Sequence, residues 1–300
     1  MAALGQTLEE KGFLKVQSFA AQNVTQLMKQ QIEQIVQKWD EKQYTQFRTD
    51  QKQKDSQGND DYFINSADKV RFFTEPAAID KDTNKLNKPK QLALNKIGHA
   101  LHTQPGVFRD YAQSQKLKSL VSELGWKKPD LVQSMYIFKQ PQIGAEVTPH
   151  QDSTFLRTHP PTCLGLWLAL HPATEENGCL WVRPGSHKEP LRRHFRRQAD
   201  SSGRIRMVFD QLVDQDESEA VSWDGKSLQV DPATLGFVPV PVDAGDLIVI
   251  HGQLDHLSMP NTSPLPRHSF QLHIVDGHDA IWDRGNWLQY PPGKPFPQFE

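Results

Sequence analysis

A mainly β fold with flanking α-helices, a double-sheet jelly roll preceded by N-terminal helices, is predicted by three observations. Helical periodicity is confined to the first 126 residues. Short apolar runs bounded by Pro, Gly and Asn follow from about residue 130. The two kinds of segment are grouped rather than alternating, which disfavours a βαβ sheet. The 300 residues, 37% of them hydrophobic and 23% charged, fit one domain over 1–300. Within it, 1–126 reads as a helical flank and 127–300 as the β core, with an insertion near 192–232.

The first element rests on Val24, Leu27, Met28, Ile32, Ile35, Val36 and Trp39, whose three- and four-residue spacings make one apolar helix face. A polar interval over 40–61 follows and reads as a solvated connection. Phe108, Tyr111, Leu117, Leu120, Val121 and Leu124 predict a second helix, stopped by Gly125 at a left-handed C-terminal position. Val132, Ser134, Tyr136 and Phe138 alternate with Gln133, Met135, Ile137 and Lys139 in a strand that stops at Pro141. Further strands are expected over 163–170, 178–182, 246–250 and 269–275. The long charged stretch 192–232 interrupts them and reads as a lid or a locally unstructured insertion, its arginines as a solvated face.

Charge and composition exclude several classes. With 34 Lys+Arg against 36 Asp+Glu and no long block of either sign, there is no footprint for nucleic acid. No apolar run approaches the roughly 20 residues that span a bilayer, and the first eleven residues lack the features of a signal peptide. Only Cys163 and Cys179 are present, which rules out a disulfide framework and suits a reducing, cytoplasmic setting. A monomer is the working expectation.

Twelve histidines focus attention on His150-Gln151-Asp152. An i, i+2 spacing on extended backbone turns an imidazole and a carboxylate to one face. A second imidazole would complete the two-His-one-carboxylate face of non-heme Fe(II) enzymes, which leaves metal positions open. His251 and His256 both stand near the end of the 246–250 run. Ser258 and Arg267 favour His256, because a hydroxyl and a guanidinium beside it suit the far carboxylate of a dicarboxylic co-substrate such as 2-oxoglutarate.

The order His150-x-Asp152, His256-x-Ser258, Arg267 resembles the phytanoyl-CoA dioxygenase family of Fe(II)/2-oxoglutarate oxygenases. The resemblance extends through 61–63, 68–73, 95–99, 133–138, 176–180 and Pro184-Gly185-Ser186-His187, so it covers most of the chain. It implies a double-stranded β-helix core and Fe(II) held by His150, Asp152 and His256. It also implies 2-oxoglutarate bound by Lys96, Met135, Trp167, Ser258 and Arg267, with O2 as second co-substrate and ascorbate as supporting reductant. Read by themselves, Met135 and Trp167 are core residues and Lys96 a solvated one. His99, His102 and His187 are candidates for orienting the ligands, and the remaining histidines read as surface or strand residues. The implied activity is hydroxylation of a lipid-like or small-molecule substrate. An inactive binding module on the same fold and a zinc hydrolase using the same ligands are the alternatives.

Overall fold

The computed structural model describes residues 2–47, 60–213 and 228–300. The parts of the polar interval and the insertion at 48–59 and 214–227 lie outside the described residues. Sixteen strands are described: β1 (Phe13–Val16), β2 (Thr45–Gln46), β3 (Val70–Thr74), β4 (Leu94–His99), β5 (Pro129–Ile137), β6 (Val147–His150), β7 (Thr158–His159), β8 (Leu164–Ala169), β9 (Leu180–Val182), β10 (Arg193–Ala199), β11 (Ile205–Gln211), β12 (Val238–Val240), β13 (Leu247–His251), β14 (His256–Ser258), β15 (Ser269–Asp276) and β16 (Ile281–Trp282).

They form the two sheets of a jelly roll. The larger has eight strands in the order β1-β13-β8-β15-β5-β4-β3-β2, and the smaller four in the order β12-β9-β14-β6. A hairpin, β10-β11, and a two-stranded pair, β16-β7, complete the described strands. All pairings are antiparallel except β2 with β3.

Alternation along the central strands explains how both faces of the large sheet are covered. On β8, Leu164, Leu166 and Leu168 join a core with Met28, Ile32, Val36, Phe108, Leu117 and Val121, so this face carries the helices. Trp167 and Ala169 point the other way and pack with Ile248, Ile250, Leu180, Val182 and Leu257 between the sheets. A strand buried on both faces has no polar side, which is why 163–170 reads as one apolar run. On β15, Phe270, Leu272 and Ile274 face the helices, while Gln271 and His273 line the cavity between the sheets.

The predicted first helix runs over Gln22–Lys38 and buries Met28, Ile32 and Val36. The second is divided into Val107–Ala112 and Gln115–Glu123, because Ser114 takes extended backbone and accepts from the Leu117 N–H as an N-cap. Gly125 has the expected left-handed φ of +97°. The flank over 1–126 is not purely helical: β1 to β4 also lie there, and β1, β3 and β4 extend the large sheet. An amphipathic pattern is absent from β4 because all six of its residues are buried, Asn95, Lys96 and His99 included.

Candidate active site

His150 ends β6, Asp152 opens a single helical turn, and His256 opens β14. In the antiparallel pairing of β14 with β6, His256 stands directly opposite His150, so residues a hundred apart in sequence meet across one ladder rung. Their ring centroids are 4.1 Å apart. Both Nε2 atoms lie 3.5 Å from Asp152 Oδ1. One ligand atom from each of the three residues falls within 4.8 Å of the others.

The backbone sets which ring nitrogen is available. His150 Nδ1 is 2.9 Å from the Thr148 carbonyl, and His256 Nδ1 is 3.0 Å from the Leu254 carbonyl. A carbonyl only accepts, so each Nδ1 carries the proton and each Nε2 presents a lone pair to the common point. Burial and the neighbouring His150 push His256 down to about 4, which keeps it neutral around pH 7. Burial pushes the Asp152 carboxyl up, but His256 and His273 outweigh it and hold the group well below its usual range. Two imidazole Nε2 atoms and a carboxylate on one face fit Fe(II) by the chemistry of the donor set, with His150, Asp152 and His256 as the holding residues.

A cavity of about 780 Å³ opens beside this face. Every residue expected at the co-substrate lines it: Lys96, Met135, Trp167, Ser258 and Arg267. Register explains the grouping, since Met135 pairs with Gln271 and Gln271 with Trp167 across β5, β15 and β8. Arg267 is 2% exposed, and its Nη1 donates to Ser269 Oγ at 3.1 Å. Its Nε has no hydrogen-bond partner among the described residues. Burial lowers its pKa to about 10, so it stays charged. Lys96 Nζ sits 3.5 Å above the Phe47 ring and 3.7 Å from Met135 Sδ, and burial holds it well below the usual lysine range. A buried guanidinium with an orphaned Nε, together with a lysine in contact with sulfur and aromatic carbon, fits a bound dicarboxylate.

His251 does not reach the face. Its ring packs 5.2 Å from His187, and its Nδ1 accepts from the Gln253 N–H at 3.2 Å. The candidates for orienting the ligands are also elsewhere: His99 pairs with Ser66, His102 with Ser134, and His187 with the Glu9 carbonyl. The histidine at Asp152 is His273, whose Nε2 is 3.3 Å from Oδ2. Sequence reasoning places it only as a strand residue. Its signal is weak: a polar position on the inward face of β15, in register with Gly165. A Cβ at 165 would stand 3.0 Å from Asp152 Oδ2, so glycine there leaves room for the carboxylate.

The insertion is not a solvated face at its root. Arg192 is buried and donates from Nη1 to Asp255 Oδ1 at 2.7 Å, while Arg183 joins the same carboxylate and Glu189. The Arg192 backbone N–H also donates to Gln151 Oε1 at 3.1 Å. The residues next to Asp152 and His256 in the chain are therefore tied to one segment. Farther out, β10 and β11 form a hairpin that walls the cavity with Arg193, Val208, Phe209 and Gln211.

Comparison with solved structures shows the fold. The non-heme alpha ketoglutarate dependent carbocyclase SnoK from nogalamycin biosynthesis superposes with a TM-score of 0.62 at 17% identity, covering 99% of this chain and 93% of that one. The epimerase SnoN, in complex with Fe3+, alpha ketoglutarate and nogalamycin RO, gives 0.60 at 16% identity over the same shares. The fold is the jelly roll of the 2-oxoglutarate-dependent oxygenases. The family follows from sequence: the phytanoyl-CoA dioxygenase (PhyH) model matches residues 8–269, and the chain belongs to that family. It is 40% identical over 281 residues to phytanoyl-CoA dioxygenase 1 of Oryza sativa subsp. japonica, covering 94% of this chain and 91% of that protein. It is 41% identical over 295 residues to phytanoyl-CoA dioxygenase domain-containing protein 1 of Mus musculus, covering 96% and 94%.

Proposed function

We propose that this protein is an Fe(II)- and 2-oxoglutarate-dependent dioxygenase that hydroxylates a lipid-like or small-molecule substrate. The observation that carries the reading is the convergence of His150 Nε2, His256 Nε2 and Asp152 Oδ1, with both Nδ1 atoms committed to backbone carbonyls. Iron and 2-oxoglutarate, when bound, supply O2 activation, oxidative decarboxylation to succinate and CO2 providing the oxidising equivalents for hydroxylation.

The chain's own residues do the rest. His150, Asp152 and His256 hold one face of the metal and leave the other to ligands. Arg267 and Ser258 take the far carboxylate of the co-substrate, Trp167 and Met135 wall its carbon chain, and Lys96 adds positive charge. Phe63, Phe155, Phe209 and Trp287 line the cavity and limit water at the reacting centre. Ascorbate is expected to sustain turnover by keeping iron reduced. No described helix is long and apolar enough to cross a membrane. Cys163 and Cys179 are both free thiols, which supports the reading of a cytoplasmic enzyme.

A zinc hydrolase would use the same three ligands but has no use for a buried guanidinium with an unfilled Nε. The deciding experiment is succinate formation from 2-oxoglutarate by purified protein with Fe(II) under air, against an Asp152→Ala control. Turnover confined to the unaltered protein is expected. Failure to bind both iron and 2-oxoglutarate would leave the inactive binding module.

A further inference from the structure

Lys139 follows β5 and is 1% exposed, a burial that a lysine tolerates only when its charge is met. Its Nζ donates to Ser258 Oγ at 2.9 Å and to the Ala145 carbonyl at 2.6 Å. On the other side of the same residue, the Ala145 N–H donates to Glu75 Oε2 at 3.3 Å, and Asn95 Nδ2 donates to Glu75 Oε1 at 3.0 Å. Glu75 is fully buried. The two charges thus bracket Ala145, a lysine on its oxygen and a carboxylate on its nitrogen. Space for the stem is built in: a Cβ on Gly178 would come within 2.6 Å of Lys139 Cε, and Gly178 has a φ of +84°. The backbone is held to the co-substrate strands as well, since the Lys139 carbonyl accepts from the Arg267 N–H at 3.3 Å and from Asn261 Nδ2 at 2.9 Å.

Burial and the Arg267 charge push the Lys139 ammonium down while Glu75 and Glu146 hold it up, and in that charged form it can only donate, so Ser258 Oγ accepts from it. That leaves the hydroxyl hydrogen of Ser258 free to donate elsewhere, and Ser258 lines the cavity beside Arg267. Without Lys139, the serine hydrogen would be free to turn toward a neighbouring carbonyl and offer the cavity a lone pair, the wrong polarity for an anion.

We propose that Lys139, charge-balanced by Glu75, is a positioning residue that orients the Ser258 hydroxyl as a donor to the distal carboxylate of the co-substrate. The inference rests on the 2-oxoglutarate reading of the site. It assigns to Lys139 a part of the affinity for the dicarboxylate and none of the affinity for the metal. Glu75 serves to make that buried cation affordable.

The test compares Glu75→Gln, the double variant Glu75→Gln/Lys139→Met, and each with Ser258→Ala added. Removing both charges together avoids stranding Glu75 as a buried anion. Each protein is loaded anaerobically with Fe(II), and 2-oxoglutarate is titrated by its absorbance change, with 2-oxobutyrate, which lacks the distal carboxylate, as the second probe. The expected result is a loss of about tenfold or more in 2-oxoglutarate affinity on adding Lys139→Met, as for a charge-assisted hydrogen bond. Affinity for 2-oxobutyrate and for Fe(II) should be unchanged, and the loss should largely vanish in the Ser258→Ala background. Equal affinity for 2-oxoglutarate with and without Lys139→Met overturns the proposal, as does an equal loss for both oxoacids or a loss fully additive with Ser258→Ala. If the unaltered protein binds Fe(II) but no 2-oxoglutarate, the underlying functional reading fails instead.

Discussion

His273 Nε2 lies 3.3 Å from Asp152 Oδ2, while Oδ1 of the same carboxylate faces both His150 and His256 at 3.5 Å. One oxygen is thus held from behind by β15 and the other is presented to the metal position. A carboxylate gripped at one oxygen is fixed in rotation about its χ2 axis, which is broad when unconstrained. His273→Ala should therefore weaken Fe(II) binding by roughly 10- to 100-fold, the range seen when partners of metal ligands are removed. His273→Gln, which can still donate, should recover most of it. Anaerobic Fe(II) or Co(II) titration reads the effect, and undiminished metal affinity in His273→Ala would remove the role.

The choice between two nearby histidines gives a sharper contrast. His256→Ala should abolish stoichiometric metal binding, whereas His251→Ala should retain it, because His251 packs on His187 away from the face. Equal losses with intact folds would mean that the wrong histidine has been assigned.

How much of this was legible in the sequence depends on what each residue faces. The metal residues were, because His-x-Asp on extended backbone and a later His-x-Ser pair carry their chemistry in their spacing. Strands such as Leu164–Ala169 were, because burial on both faces leaves an uninterrupted apolar run. β3 and β4 were not. β4 turns Lys96 toward the cavity and buries Asn95 and His99, so its buried positions are polar and imitate a surface segment. Lys139 and His273 were hidden for the same reason. A buried lysine is indistinguishable by spacing from a solvated one, and only tertiary packing under Gly178 and against Asp152 separates the cases.

Arg267→Ala should raise the KM for 2-oxoglutarate far more than it weakens iron binding. A charged hydrogen-bond partner contributes about 1.5–3 kcal/mol, or roughly 10- to 150-fold. The effect should appear in KM, with Fe(II) affinity moving little, since Arg267 bonds to Ser269 and not to the metal residues. Unchanged KM would take the carboxylate role from Arg267.

Acid should destabilise the metal-free protein well before its carboxylates are titrated in bulk. Burial depresses His102 and His256 to about 4 and His268 to about 3 in the folded chain. Between the ordinary value near 6.5 and these values, the unfolded chain binds protons that the folded chain does not, so stability present above about 6.5 is lost as pH falls. Glu75, raised by burial to about 6, acts in the opposite sense between about 6 and 4.5, but the depressed histidines, His251 at about 4 among them, outnumber it. Denaturant unfolding at pH 7.5, 6 and 5 should show a progressive loss, and His102→Gln should flatten the slope. Stability that is flat or rising on acidification over this range would contradict the buried neutral histidines.

The hairpin wall should govern substrate handling without touching the co-substrate. Phe209 on β11 pairs with Phe195 on β10, packs on it with the rings tilted by 38° and 4.6 Å between centroids, and lies under the Arg193 guanidinium at 3.8 Å. None of its described ring contacts is with Arg267, Ser258 or Lys96. Phe209→Ala removes an aromatic face from the cavity at a cost of about 1–3 kcal/mol in stability, the usual size for a partly buried side chain. Substrate-independent succinate formation and affinity for 2-oxoglutarate should survive. Across a panel of acyl thioesters, free acids and small metabolites, the pattern of substrate-stimulated succinate formation should change, because stimulation requires a seated substrate and the wall that seats it has been altered. An identical pattern in the variant and the unaltered protein would place the substrate elsewhere in the cavity, against Phe63 and Trp287.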